Sequence, residues 1–489
     1  MKLRLSRRQF LSAGAVAGAG LVLGDALPAH ALGRPRRATL PVSGANAPFD
    51  HVVVVMMENR SFDHFLGWLP GANGIQAGLS FVDTLGVRYP TYNLAPDYEG
   101  CGYADPNHDW SGGLIQMNGG KMDGFLLTAA PGDTFPAGYY TEDTVNVLGT
   151  LAQAYGTSDN YFCAILAATY PNRFYQHSAQ TDRDSTTSSP TSTLPAIWDQ
   201  LSPVPVGNAV TGRYYSTDLP FTALWGSKYV NHTFGFNQFL ADCAAGTLPN
   251  VAFVDPEFVG EGQGFSRDDH PHADVRAGEF FLYTIYNAIR QSPNWDRTVL
   301  IINYDEWGGF YDHVVPPHVI DDKPLASNPQ LDTTRLGLRV PLAVISPLVP
   351  QGTLMSGGAP FEHTSILRMI EWRFGLQPLA ARDANARNLA EFLDLTGTPR
   401  TDVVTVPVPA TAVSSLCGPT NSTPHPPTPV PEFPWTAGLT VGGAAVAAGW
   451  MAKTMRTRST ARQASLAALP SGATTRSEYI EPPAAGRDS

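Results

Sequence analysis

Continuous apolar runs alternate with segments of helical spacing along the central part of the chain. Apolar runs of this length are typical of strands that are covered on both faces, as in a parallel sheet. The runs are Val52–Met57, Val251–Val254, Val299–Asn303 and Val340–Ile345. The segments with helical spacing are Val275–Arg290 and Thr364–Phe374. Because buried strands alternate with helices, the pattern predicts an α/β fold with a central, mostly parallel sheet sandwiched by helices.

Polar side chains directly follow two of these predicted strands. Glu58 and Asn59 follow the first strand, and Asp305 and Glu306 follow the strand that begins at Val299. In open α/β sheets, ligands collect beyond the carboxyl ends of the strands. Three carboxylates in one place repel each other unless a cation is present, and with an amide oxygen they suit one or more divalent metal ions. The alternative is that these side chains cap the turns and face water.

The candidate nucleophile is Thr169, which lies two residues before Pro171, a residue that favours the first turn of a helix. A hydroxyl at a helix start lies among free backbone N–H groups that favour anions. Metal coordination would lower the pKa of this alcohol and make it a usable attacking group. Arg173 is a candidate for binding phosphate oxygens. The alternative is that Thr169 is only a helix cap.

Histidines in polar loops are the candidate proton donors. His108 lies in the segment DPNHDW and His270 in the segment DDHPH. A histidine in such a loop is free to donate a proton to a departing oxygen. His313 and His363 are further candidates, although His363 precedes a predicted helix and could serve only to order its start. With 12 histidines in the chain, each one also has a structural alternative, and spacing does not choose among them.

The first residues have the features of a removable export signal. Two adjacent arginines, Arg7 and Arg8, are followed by Phe10 and Leu11, a mildly apolar stretch and the small-residue site Ala29-His30-Ala31. This order predicts a twin-arginine signal over residues 1–31 and, with it, the twin-arginine export machinery as a partner. The alternative is an ordinary basic start. Export predicts a protein that is anchored at the outer face of the cytoplasmic membrane or secreted.

The other end of the chain predicts attachment to a membrane. Residues 401–434 are rich in Pro and Thr and read as a linker, and residues 435–452 form an uncharged run that is close to the lower limit of about 17 residues for a spanning helix. Cations follow this run, as on the inner side of a membrane anchor, and residues 453–489 continue as a basic and then disordered tail. Residues 48–400 remain as the catalytic domain. The alternative to an anchor is a flexible Ala/Gly tail.

The net charge excludes one class of partner, and the cysteines limit the possible disulfides and metal sites. The chain of 489 residues has a formal net charge of -11, so it lacks the basic surface that nucleic-acid binding requires. Its cysteines allow three pairings and show no zinc-site spacing; they are Cys101, Cys163, Cys243 and Cys417. Cys163 lies in an apolar run and is predicted to be a buried thiol. Outside the cytoplasm a disulfide is permitted.

Several of these residues belong to motifs that occur in a fixed order. The motifs are ENRSFDH at 58–64, TYPNR at 169–173, DEWGGFYDHV at 305–314 followed by Pro316-Pro317, and HTS at 363–365. Together they resemble the bacterial phosphoesterase family, which contains phosphatidylcholine-type phospholipases C, their plant non-specific relatives and an acid phosphatase that inhibits the respiratory burst. The resemblance extends over roughly the whole region from Phe49 to Leu376.

This resemblance implies an alkaline-phosphatase-like fold and a specific set of site residues. It implies that a metal ion is held by Glu58, Asn59, Thr169, Asp305 and Glu306. It further implies that Thr169 is the nucleophile, and that His108 and His270 line the phosphate pocket, with one of them acting as the leaving-group acid.

The leading functional hypothesis is a phospholipase C-like hydrolase that cleaves phosphate esters of phospholipids through a phosphothreonine intermediate. One alternative is an acid phosphatase that acts on soluble phosphomonoesters. Another is a surface protein that binds phosphorylated ligands and whose metal site is purely structural.

Overall fold

The computed structural model describes residues 40–396, 398–410, 417 and 427–429. The export signal predicted at 1–31, most of the linker at 401–434, the anchor at 435–452 and the tail at 453–489 lie outside the described residues. Within the described residues, no helix is both long enough and apolar enough to cross a membrane.

Strands and helices alternate through the described part of the chain. The strands are β1 (His51–Met57), β2 (Ser80–Val82), β3 (Arg88–Pro90), β4 (Tyr92–Asn93), β5 (Gly138–Tyr139), β6 (Gly156–Ser158), β7 (Tyr161–Phe162), β8 (Gly212–Ser216), β9 (Thr233–Gly235), β10 (Val251–Asp255), β11 (Thr298–Tyr304), β12 (Leu342–Ile345), β13 (Thr353–Met355) and β14 (Phe361–Glu362). The helices are α1 (Phe62–Leu66), α2 (Trp110–Met117), α3 (Asn146–Ala154), α4 (Thr169–Ser178), α5 (Phe236–Ala245), α6 (Val275–Arg290), α7 (Thr364–Phe374) and α8 (Ala381–Asn385).

An eight-stranded sheet forms the centre of the fold, with the strand order β13-β6-β12-β11-β1-β10-β8-β9. Every neighbouring pair is parallel except the two that involve β12, which runs antiparallel to β11 and β6. The predicted α/β fold with a mostly parallel sheet and flanking helices is therefore confirmed.

The predicted elements agree closely with the observed ones. Both helices, Val275–Arg290 and Thr364–Phe374, have the predicted bounds. The strand predicted at Val340–Ile345 begins only at Leu342. Pro341 has no N–H group to donate to a neighbouring strand, which accounts for the later start.

The long helix α6 shows how these helices cover the sheet. Its buried side chains Leu282, Ile285 and Ile289 recur at intervals of three and four and form one apolar face. Helix α6 packs against α3 and α5, while α4 packs against α7. Strand β1 is inaccessible to solvent along almost its whole length.

A buried arginine joins the segments that follow β1 and β11. Arg339 forms ion pairs with Asp63 (Nη2–Oδ1, 3.1 Å) and Asp312 (Nε–Oδ1, 3.0 Å), and all three side chains are inaccessible. Its Nη1 also donates to the backbone carbonyls of Asn73 and Asp159. Both acidic residues come from the sequence motifs, so these motif positions hold the loops around the site together.

The cysteines divide into one disulfide and two free thiols. Cys101 pairs with Cys417, whereas Cys163 and Cys243 are buried and free. The prediction that Cys163 is a buried thiol is confirmed. The backbone N–H of Cys417 donates to the carbonyl of Gln263 at 3.2 Å, so the chain at residue 417 is held against the loop that follows β10.

We expect Arg339→Leu to lower the free energy of unfolding by about 3–5 kcal/mol, because it removes the buried positive charge that pairs with two buried carboxylates. The measurement is a urea titration followed by circular dichroism. The control is Arg88→Leu, an exposed arginine in strand β3, which we expect to change the stability by less than about 0.5 kcal/mol. Equal midpoints for the two variants would contradict this role of Arg339.

Candidate active site

The two predicted acidic segments lie side by side at the carboxyl edge of the sheet. Strands β1 and β11 are parallel neighbours in which Met57 is paired with Tyr304, so the residues that follow them leave the sheet together. The backbone N–H of Asn59 donates to Oδ1 of Asp305 at 3.1 Å. Glu58 is also close, because both it and Asp305 form ion pairs with one guanidinium group.

That guanidinium belongs to Arg173, whose side chain is almost completely buried. It forms ion pairs with Glu58 (3.1 Å), Asp305 (3.1 Å) and Asp255 (3.4 Å). Burial acts to lower the pKa of Arg173, but the three carboxylates outweigh it and raise the pKa. Arg173, predicted to bind phosphate, is engaged with three carboxylates and also lines the cavity described below, so its phosphate contact stays a prediction.

Asp255 is a site residue that the sequence reasoning did not include. It is the last residue of β10, which is the other parallel neighbour of β1. The hydroxyl of Tyr214 donates to its carboxylate. The sequence did contain a signal for Asp255. Like Glu58 and Asp305, it is an acidic residue directly after a predicted strand, in this case Val251–Val254.

The acidic side chains are strongly perturbed by their surroundings. Burial, followed by repulsion from Asp305, raises the pKa of both Glu58 and Glu306 well above the ordinary value. Burial also raises the pKa of Asp305, although Arg173 opposes that change. One arginine thus does not compensate the whole cluster, and a further positive charge would stabilise the ionised carboxylates.

Some buried polar atoms at the strand ends have no hydrogen-bond partner, and their chemistry indicates whether a cation fits this place. Both polar atoms of the Asn59 side chain and Oε1 of Glu306 are buried and lack a hydrogen-bond partner. Such atoms are costly unless something binds them. Carboxylate and amide oxygens are the ligands that hard divalent cations prefer. The residues present therefore fit a divalent metal ion.

A glycine allows the two strand-end segments to approach so closely. Gly308 has a φ of +62°, and a Cβ atom at this position would lie 2.1 Å from the backbone oxygen of Asn59. No side chain fits there. The N–H of Gly308 also donates to Oε2 of Glu306 at 2.7 Å, which orients that carboxylate.

Thr169 is the first residue of α4, where the structure places it at the wall of a cavity. The cap residue Ala168 has no side-chain acceptor, so the first N–H groups of the helix receive no capping hydrogen bond from it. Free N–H groups and the helix dipole favour an anion at this end. The same helix carries Arg173 one turn later, so one element positions both side chains.

His108 and His270 face each other across the cavity. Their ring centroids are 5.9 Å apart and the rings are nearly perpendicular. Nδ1 of His108 lies 2.7 Å from the carbonyl oxygen of Pro106, which can only accept, so Nδ1 carries a proton and Nε2 is available for chemistry. Burial, followed by repulsion from His108, lowers the pKa of His270 to about 3, so His270 is neutral at ordinary pH.

One cavity of approximately 400 Å³ collects most of the predicted residues. Those that line it are Glu58, His108, Thr169, Arg173 and His270. Asn59, Asp305 and Glu306 are buried beside Glu58 at the strand ends and do not line the cavity.

The two further histidine candidates lie elsewhere. His313 bonds through Nδ1 to Asp63, within the ion-pair network of Arg339. His363 is buried, and its Nε2 lies 3.0 Å from the carbonyl oxygen of Tyr304. These contacts give both histidines a structural role, which explains why they belong to the motifs without taking part in the reaction.

Glu261 also lines the cavity, and no pattern in the sequence indicated it. It lies in a glycine-rich loop, where Glu58, Glu261 and His270 bring potential ligand atoms within 4.8 Å of one another. Burial raises the pKa of Glu261 to about 7. A second such group joins Asp105, His108 and His270. The described part of the chain therefore offers several possible metal-binding groups around this cavity.

A hydroxyl, two imidazoles and a cluster of carboxylates at the carboxyl edge of an α/β sheet define a hydrolytic site for phosphate esters. The model of the Phosphoesterase family matches residues 49–208 and 204–377. The chain therefore belongs to the Phosphoesterase family, as its motifs indicated, and is a hydrolase that acts on phosphoester bonds.

Curated relatives cover most of the chain. It is 32% identical over 395 residues to non-specific phospholipase C1 of Arabidopsis thaliana, covering 73% of each chain. It is 30% identical over 440 residues to phospholipase C A of Mycobacterium tuberculosis, covering 76% of this chain and 82% of that one.

Among solved structures, a protein of the alkaline phosphatase superfamily from Vibrio parahaemolyticus matches with 10% identity and covers 71% of each chain. The TM-score of this match is low, at 0.30.

We expect Glu306→Gln to weaken binding of a divalent metal ion at least about tenfold, because it removes a charge from the ligand set while keeping its size. Metal content after dialysis and calorimetric titration of the metal-free protein measure this. The control is Glu279→Gln, a buried glutamate that accepts from the backbone N–H of Val147, outside the cavity. Equal metal affinity in the two variants would remove Glu306 from the ligand set.

Proposed function

We propose that this protein is an exported phospholipase C-like enzyme that hydrolyses phospholipids through a phosphothreonine intermediate on Thr169. The relatives that are named phospholipases C support the reaction type. The observation that carries the choice of a lipid substrate is the mixed polar and apolar lining of the 400 Å³ cavity.

Both polar and apolar side chains line this cavity. The polar ones include Thr169, Glu58 and the two histidines. The apolar wall consists of Leu219, Pro220, Phe221, Ala223, Leu224 and Phe258. A soluble phosphomonoester offers nothing to such a wall, whereas the diacylglycerol part of a phospholipid does, so the lining favours a lipid ester over a soluble one.

In the first step the Thr169 oxygen, which has already lost its hydroxyl proton to solvent, attacks phosphorus as the alkoxide, and the bond to the diacylglycerol oxygen breaks. His270 is neutral, so His108 is the residue that protonates the departing oxygen from Nε2. The N–H groups at the start of α4 stabilise the negative charge on the phosphate oxygens. The products of this step are diacylglycerol and a phosphothreonine that carries the headgroup.

A divalent cation bound by Glu58, Asn59, Asp305 and Glu306, with the hydroxyl of Thr169 as a further ligand, would lower the pKa of that hydroxyl and offset charge on the phosphate. Arg173 keeps Glu58 and Asp305 in place through its ion pairs. The chain itself thus provides the ligands, the nucleophile and the acid.

In the second step water releases the phosphorylated headgroup. His108, neutral after the first step, takes a proton from the attacking water, and the Thr169 oxygen leaves phosphorus. Neutral His270 accepts a hydrogen bond at Nε2 and so helps to hold this water. The enzyme then returns to its starting state.

Two observations support the proposal of export. The first 31 residues have the pattern of a twin-arginine signal. The disulfide between Cys101 and Cys417 is of a kind that persists in oxidising compartments outside the cytoplasm. Attachment through residues 435–452 remains a proposal from the sequence.

We expect Thr169→Ala to lower kcat for a phosphocholine diester at least about a thousandfold, because no other hydroxyl replaces the nucleophile. Thr169→Ser is the control, since it keeps a hydroxyl at the same place. Mass spectrometry of acid-quenched enzyme should detect a phosphorylated residue 169 in the wild type. An alanine variant with more than trace activity contradicts the proposal, and activity confined to a phosphomonoester indicates a phosphatase instead.

We expect the effect of His108→Gln to depend on the leaving group. For a lipid diester, whose alcohol needs a proton, kcat should fall about 100- to 10,000-fold. For a p-nitrophenyl ester, whose leaving group needs no proton, the loss in the first step should be much smaller. His270→Gln is the comparison, and it should affect both substrates alike. A reversed pattern would assign the acid to His270.

A further inference from the structure

Two loops at the mouth of the cavity carry exposed apolar side chains. Leu219 follows strand β8, and Val259 and Phe265 follow strand β10. Their exposed fractions are 69%, 55% and 43%. We call these three residues the apolar rim.

The apolar rim is one surface because the two loops bind each other. Strands β8 and β10 are parallel neighbours, so their loops leave the same edge of the sheet. Oδ2 of Asp218 accepts hydrogen bonds from the backbone N–H groups of Phe258 and Val259, at 2.8 and 2.7 Å. The N–H of Phe265 donates to the carbonyl of Gly260 at 3.1 Å. Clustered exposed apolar side chains mark an interaction surface, whereas isolated ones do not.

The apolar rim continues the apolar wall of the cavity. Leu219 belongs to both, and Phe258, which lines the wall, precedes Val259 directly. A path of apolar side chains therefore leads from the reacting groups to the outside of the protein. A lipid that keeps its acyl chains in a bilayer while its phosphate enters the cavity needs such a path.

Charge around the apolar rim limits the kind of surface it fits. Within residues 217–220 and 256–267 the only cation is Arg267, and its Nε is paired with Glu257 at 3.3 Å. Asp218 adds negative charge. An anionic membrane would be repelled, so a neutral or zwitterionic lipid surface fits best.

We propose that the apolar rim of Leu219, Val259 and Phe265 docks the enzyme on a zwitterionic lipid surface and places the cavity mouth against the bilayer. This inference rests on the proposed phospholipase C-like function and adds the surface at which that function operates. Docking uses insertion of apolar side chains and requires no basic patch.

The kinetic test uses Val259→Asp and Phe265→Asp in the full-length protein, since neither residue lines the cavity. We expect each to lower hydrolysis of phosphatidylcholine vesicles about tenfold, because an apolar side chain that inserts is replaced by a charge. Hydrolysis of a short-chain phosphatidylcholine below its micelle concentration should stay within about twofold of the wild type.

Matched controls are available on other faces of the molecule. Val206 is 61% exposed and lies in the loop before β8, at the opposite edge of the parallel strands. Phe280 is 48% exposed and lies on helix α6. Val206→Asp and Phe280→Asp should leave both activities unchanged. If the rim variants and these controls hydrolyse vesicles equally well, the docking proposal is wrong.

A second measurement is independent of activity. The variant Phe265→Trp adds tryptophan fluorescence to that of the wild type, and vesicles of brominated phosphatidylcholine should quench this added fluorescence. The fluorescence that Phe280→Trp adds should not be quenched. Equal quenching of the two variants overturns the proposal even if the protein binds vesicles by another route. A wild-type protein that hydrolyses neither form of phosphatidylcholine refutes the proposed function, while the quenching result still decides whether the apolar rim inserts.

Discussion

Four carboxylates lie close together at the carboxyl edge of the sheet, and their mutual repulsion is the main physical constraint on the site. Glu58, Asp255, Asp305 and Glu306 are all withdrawn from water, which costs several kcal/mol per ion unless the charge is compensated. Arg173 supplies one positive charge to three of them. The remaining excess of negative charge, together with the unpartnered oxygens beside it, makes this place chemically suited to a divalent cation.

The scaffold makes this crowding possible by holding each contributor on a regular element. Three adjacent parallel strands end in acidic residues, and the helix that begins at Thr169 brings both the hydroxyl and the arginine to the same place. The buried network of Arg339 then fixes the loops that leave β1 and β11. Because the site is held on rigid elements, it keeps its geometry despite the repulsion between the carboxylates.

The chemistry and the surrounding surface fit one substrate class. The cavity is lined by the proposed nucleophile, the proposed acid and an apolar wall, and that wall continues to exposed side chains on the loops after β8 and β10. These loops are adjacent because parallel neighbouring strands release their chains at one edge of the sheet. The same topology that assembles the carboxylates therefore also aligns the apolar path with them.

The sequence by itself determined the fold class, the strand ends that carry Glu58 and Asp305, and the identity of Thr169 as a candidate, because hydrophobic periodicity and motif order are local properties of the chain. It did not reveal Glu261, which lies in a loop without any regular pattern, or that Arg173 is engaged by three carboxylates. Residue spacing alone also did not separate His108 and His270 from His313 and His363; only the family resemblance favoured the first two. Those distinctions depend on burial and on contacts between residues far apart in the chain, and only the tertiary structure decides them.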